Sequence, residues 1–213
     1  MLRDFNLAER LKASLLFDFE RCPNICGLQI LFLGISMVME DFNLLISTSK
    51  GNENNACSEI WFLLGELGDR EALVDRTEVA GLVVAKTKLN PFEVIEGLRR
   101  ILRERPWEFR YVLKVVPIEV VVRTRLDEIR RAASSLHHKI LEDETFRVTV
   151  EKRHTEMPTK DIIEAAVENL NRKVDLSNPD KIILIEVLGR LTGISVIRPK
   201  DVLSVTKEKP SHL

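Results

Sequence analysis

The chain has 213 residues, enough for one large domain or two small ones. It is 45% hydrophobic and 31% charged, an ordinary globular balance with no low-complexity segment and no internal repeat. The net charge of −1 excludes a uniformly basic nucleic-acid binder, although residues 109–213 carry 19 Lys+Arg against 16 Asp+Glu and residues 1–108 carry 13 against 17.

Residues 1–38 do not share the patterning of the rest. Leu7 to Phe19 sorts its charges and apolar residues poorly, and Gly27 to Val38 is almost wholly apolar. That run is too short to span a bilayer, which takes about 20 residues. Asp4, Glu9, Asp18 and Glu20 precede it, so it is also a poor signal-peptide core. Two readings stay open: a translated region upstream of a start at Met37 or Met39, or a true helix and strand packed on the domain. Cys22, Cys26 and Cys57 are too few and too clustered for a disulfide framework, and Cys22 and Cys26 have no second ligand pair nearby. Neither a metal nor a disulfide scaffold is expected, and a reducing cytoplasm is the expected compartment.

Regular patterning starts near Met39. Phe42 to Ser49 reads as a strand, and Glu53 to Leu67 as a helix with Ala56, Ile60, Leu63 and Leu64 inward and Gly68 ending it. Ala72 to Thr77 and Leu82 to Thr87 are strand-like. Asn90, Pro91 and Glu93 open a second helix as cap, first helical residue and N3 residue. Val94, Ile95, Leu98, Ile101 and Leu102 form its buried face. Phe109 to Val116 and Ile118 to Val122 read as strands, with Pro117 a bulge or edge position. This order over residues 42–122 suits a ferredoxin-like α+β sandwich.

Arg125 to Ile140 predicts a helix with Leu126, Ile129, Ala133, Leu136 and Ile140 inward. Phe146 to Val150 alternates as a half-buried strand. Lys152, Arg153 and His154 then leave it as a charged turn, and Thr159 caps a further helix. Ser177 to Asp180 is a turn that Pro179 keeps from being helical. Ile182 to Val187 suits a strand covered on both faces, with Glu186 as its odd residue. Gly189 and Gly193 bracket the connection to Ile194 to Ile197. Lys207 to Leu213 is polar and expected to fray.

Val174-Asp175-Leu176-Ser177-Asn178-Pro179-Asp180, with the buried strand and Gly193-Ile194-Ser195-Val196 after it, resembles the THUMP domain of tRNA-modifying proteins. THUMP domains bind tRNA, and the resemblance implies that role here. Ile46-Ser47-Thr48-Ser49-Lys50-Gly51-Asn52-Glu53, then Thr87-Lys88-Leu89-Asn90-Pro91, then Lys152-Arg153-His154-Thr155, resemble the Tan-type adaptors needed for tRNA N4-acetylcytidine formation. This likeness spans roughly residues 41–206. It implies tRNA and a tRNA cytidine acetyltransferase, using acetyl-CoA and ATP, as partners. The expected organisation is α+β: an uncertain extension (1–38), a ferredoxin-like domain (39–122), a THUMP α/β module (123–206) and a tail (207–213).

No catalytic constellation is visible. The chain lacks a Gly-x-x-x-x-Gly-Lys-Ser/Thr loop, a Gly-x-Gly-x-x-Gly turn and a nucleophile elbow, and His137 and His138 are adjacent. A non-catalytic subunit without a cofactor of its own is therefore expected, with two alternatives open: the recognition subunit of a thiolation or methylation enzyme, or a ferredoxin-like regulatory or scaffold domain without RNA binding. Lys152, Arg153 and His154 are the leading RNA-binding candidates, followed by Lys160, Arg190, Arg198, Lys200, Arg123 and Arg130. Residue chemistry alone leaves two roles open for each of them, a phosphate contact or ordinary solvated surface. Asp175, Asn178 and Asp180 are expected to shape their loop. Glu186 either faces out at an edge or pairs with a cation such as Arg198.

Overall fold

The computed structural model describes residues 39–210. Both readings of residues 1–38 concern positions outside the described residues. β1 (Leu44–Ser47), α1 (Glu53–Glu66), β2 (Leu73–Arg76), β3 (Leu82–Lys86), α2 (Pro91–Glu104) and β4 (Lys114–Pro117) follow one another in βαββαβ order. The four strands pair antiparallel in the spatial order β4-β1-β3-β2. The helix ends form as their sequences dictate. The Asn90 side chain accepts from the Phe92 N–H at 2.9 Å with Pro91 behind it. Gly68 takes φ 110° after α1, a conformation costly for any residue with a Cβ.

A second sheet contains β5 (Val120–Arg123), β6 (Thr145–Arg153), β7 (Lys173–Val174), β8 (Lys181–Leu188) and β9 (Leu191–Ile197) in the order β5-β9-β8-β6-β7. α3 (Leu126–Leu136) and α4 (Thr159–Val167) cross over one of its faces. The strand periodicity of two then sorts three cores. Leu44, Ile46, Val83, Ala85 and Val115 face α1 and α2. Ile183, Ile185, Val187, Ile194 and Val196 face α3 and α4. Between the sheets lie Leu45, Val84 and Val116 from the first against Ile182, Leu184 and Ile197 from the second. The molecule is therefore four layers, helix, sheet, sheet and helix, and it is a mixed α/β protein. No helix among the described residues is long and apolar enough to cross a membrane.

Several boundaries differ from the sequence reading. Phe109 to Leu113 lies outside β4, because the N–H groups of Arg110, Tyr111 and Val112 donate to the Glu59 carboxylate, each at 2.9 Å, instead of to a strand. β5 already belongs to the second sheet at Val120, and β10 (Leu203–Ser204) returns to pair with β4 in the first. Sheet membership thus does not follow a division at 122/123. The start of the expected tail, at Lys207 to Lys209, is tied down. α5 (Val205–Glu208) follows β10, Glu208 pairs with Arg99 at 2.7 Å, and Lys209 donates to the Phe109 carbonyl at 2.9 Å. Gly193 lies inside β9. The β8–β9 turn is only Gly189-Arg190, with Gly189 at φ 62°, the two-residue hairpin that favours Gly at its first position.

Candidate nucleic-acid interface

β6 is longer than its alternation predicts. It continues through Lys152 and Arg153, which pair in parallel register with Val187 and Leu188. These two residues are therefore strand residues, and the turn begins at His154. The reason lies in β8, a continuous strand that offers backbone partners to β6 along its whole length. Register then fixes a row across this end of the sheet: Arg153 beside Leu188, Leu188 beside Leu191, Leu191 beside Arg123. Arg190 sits in the turn at the same end and His154 follows directly. α4 starts from this end after residues 154–158, which brings Lys160 there too.

The remaining candidates lie elsewhere. Arg198 and Lys200 follow Ile197, which pairs with Ile182 at the opposite end of β8. Arg130, in the second turn of α3, pairs with Glu168. The fold does not gather these three with the others.

The gathered cations differ in what already holds them. Lys152 is exposed, and its ammonium donates to the Met157 carbonyl at 3.0 Å, leaving further donors for a ligand. His154 is exposed and takes φ 55°, the left-handed region. Its strand end is pinned by the Gly189 N–H donating to the Arg153 carbonyl at 2.9 Å. Arg190 lies 3.6 Å from Glu40, and Lys160 lies 3.6 Å from Glu164, both pairs exposed and weak. Arg123 is exposed at the end of β5. Arg198, by contrast, is committed to Asp201 through Nε and Nη2 and closes a short 3-10 turn.

Arg153 is committed as well. Its Nη1 donates to Glu186 Oε2 at 2.7 Å. Glu186 is buried, and burial pushes its carboxyl up, an effect that Arg153 and Lys114 oppose. Glu186 therefore does not face out at an edge but pairs with a cation, and that cation is Arg153 rather than Arg198. A lone glutamate in an apolar strand signalled a buried pair, but its partner depends on register, which the sequence does not display.

The starts of α4 and α1 behave oppositely. Thr159 was expected as the cap of α4 but is its first helical residue. Pro158 occupies the cap position, and no side chain caps the helix. Orphan N–H groups beside Lys152 and Lys160 favour an anion. At α1 the Glu53 carboxylate accepts from the Gly81 N–H at 2.7 Å. Backbone N–H groups of Glu53, Gly81 and Gly51 hold that carboxyl below its ordinary range. The loop of Ser47 to Gly51 thus carries its own anion. Thr87 is likewise structural, donating to the buried Asp69 at 2.6 Å. Asp175 shapes its loop as expected, accepting from the N–H groups of Ser177 and Asn178 at 2.9 Å each.

Two back-to-back sheets and a cation-bearing strand end define a mixed α/β protein with a candidate polyanion surface. Residues 123–197 match the family model of the THUMP domain, so the chain contains a THUMP domain that holds most of this strand end. The chain is 35% identical over 96 residues to the THUMP domain-containing protein 1 homolog of Drosophila melanogaster, covering 41% of this chain and 30% of that protein. It is 29% identical over 170 residues to the uncharacterized protein MJ0421 of Methanocaldococcus jannaschii, covering 78% and 43% respectively. The chain thus spans less than half the length of these curated relatives. The crystal structure of PH1313 from Pyrococcus horikoshii shares the fold, with a TM-score of 0.51 and 21% identity, covering 74% of this chain and 55% of that one.

Proposed function

We propose that this chain is a non-catalytic tRNA-binding adaptor that presents tRNA to a cytidine acetyltransferase for N4-acetylcytidine formation. The observation that carries this reading is the gathering of Arg123, Lys152, His154 and Arg190 at one strand end within the THUMP match, next to an uncapped helix start. Separate cations on a rigid sheet end suit contact with phosphates and recognition by shape. The βαββαβ order and the antiparallel arrangement of β1 to β4 support a ferredoxin-like reading of the first unit, which would stand beside the THUMP domain and widen the surface offered to RNA. Of the three motifs resembling the Tan-type group, the two in the first unit supply turns and caps, and the Lys152–Thr155 run supplies candidate contacts. A reducing cytoplasm suits such an adaptor.

Reconstitution tests the adaptor role. tRNA, acetyl-CoA, ATP and a candidate acetyltransferase are incubated with and without the chain, and N4-acetylcytidine is measured. The expected result is modification of tRNA only when the chain is present. Equal modification in its absence would overturn the role.

A further inference from the structure

Six large apolar side chains are exposed among the described residues, and Leu141, Val174 and Leu176 account for three of them, at 59%, 56% and 72% exposure. The fold brings these three together around β7, the edge strand of the second sheet. Val174 pairs with Phe146 at the start of β6. Arg172 Nε donates to the Ile140 carbonyl at 3.2 Å, which sets Leu141 alongside, and Arg147 Nη1 donates to the Leu176 carbonyl at 3.1 Å. The Asp175 N–H donates to the Phe146 carbonyl at 2.9 Å. In a parallel ladder that geometry turns the N–H and C=O of the preceding residue, Val174, outward to the open edge.

The segment is already ordered. Asp175 holds the N–H groups of Ser177 and Asn178, and Asp180 accepts from the N–H and hydroxyl of Thr145 at 2.8 and 2.7 Å. A preordered edge loses little conformational freedom on docking. The unpaired N–H and C=O of an edge strand are also a template for pairing with another chain.

We propose that this edge pairs with the same edge of a second copy of the chain, antiparallel about a two-fold axis through Val174. The sequence Lys173-Val174-Asp175 is its own complement in that register. Val174 meets Val174 of the second copy, with two N–H···O=C bonds between them, and Lys173 stands opposite Asp175 twice. The Asn178 and Ser177 N–H groups hold the Asp175 carboxyl below its ordinary range, so it is ionised at neutral pH. Leu141 and Leu176 flank the axis and gain cover. A foreign strand would need the same alternation of charge about a central apolar residue, whereas a second copy supplies it by symmetry. The first and last residues of β6 are separated by about 26 Å of extended chain, so the pairing leaves the cation-bearing end of both copies open.

Sedimentation equilibrium of the full chain through the micromolar range tests the pairing. The wild type is expected to pass from monomer to dimer with concentration. Val174→Lys should be monomeric throughout, and Lys173→Glu should weaken the dimer by about tenfold through two like-charge contacts. Both positions are exposed, so the urea midpoint should not move at a protein concentration where the wild type is monomeric. A monomeric wild type, or a dimer that neither substitution disturbs, would overturn the proposal. So would a monomeric wild type that captures a co-expressed acetyltransferase and loses it on Val174→Lys, which would assign the patch to that partner.

Discussion

Arg153 Nη1 stands 2.7 Å from Glu186 Oε2, linking the exposed end of β6 to a carboxylate buried between the two sheets. Removing the guanidinium leaves that carboxylate without its cation. Arg153→Ala should therefore cost about 3 kcal/mol in urea unfolding at neutral pH. Restoring balance with Glu186→Gln in the same chain should recover most of the loss.

The same pair has a pH signature. Burial raises the Glu186 carboxyl in the folded state, so the folded form binds the proton more tightly than the unfolded chain. Stability from this group is fully present below the unfolded value and is lost as pH rises through the folded one. Arg153→Ala raises the folded value further. The gap in stability between wild type and Arg153→Ala should thus narrow as pH falls toward the ordinary carboxylate range, as urea midpoints across a pH series would show. A constant gap would contradict the assignment.

How legible this end of the molecule was depended on range. The Asn90 cap, the Gly68 stop and the loop bonds of Asp175 are decided within a few residues, and each formed as read. Lys152 and Arg153 were read as a turn because their own side chains are polar, yet β8 beside them extends the ladder. Which cations share an end is a matter of register. The row Arg153, Leu188, Leu191, Arg123 joins positions far apart in the chain, and Arg198 proved to be at the far end of its strand.

The C-terminal return is held by Arg99. The guanidinium is buried on α2 and donates to Glu208 and Glu96 and to the carbonyls of Lys200 and Val202. Arg99→Met keeps the stem but removes every donor, leaving part-buried acceptors unpaired. A loss of about 3 kcal/mol is expected, together with faster amide exchange at Leu203 and Val205. Unchanged exchange there would show that β10 stays docked without Arg99.

Two glycines should respond in opposite directions to alanine. Gly189 has φ 62° in the β8–β9 turn, so Gly189→Ala should destabilise by about 1 kcal/mol. Gly65 is helical in α1, and an added Cβ would meet only Arg70 Cγ at 3.9 Å. Gly65→Ala should stabilise by about 0.5 kcal/mol or slightly more. Urea midpoints of the two variants check both signs.

tRNA affinity measured across a salt series, for wild type and Lys152→Ala, tests the central claim most directly. Lys152 is the better probe because Arg153 also supports the fold. The wild type should bind with a steep salt dependence. Lys152→Ala should bind more weakly, with a slope shallower by roughly 0.7 to 0.9 and an unchanged urea midpoint. No salt-sensitive binding by the wild type, or a Lys152→Ala variant that binds as the wild type does, would contradict the strand end as the place where tRNA is held.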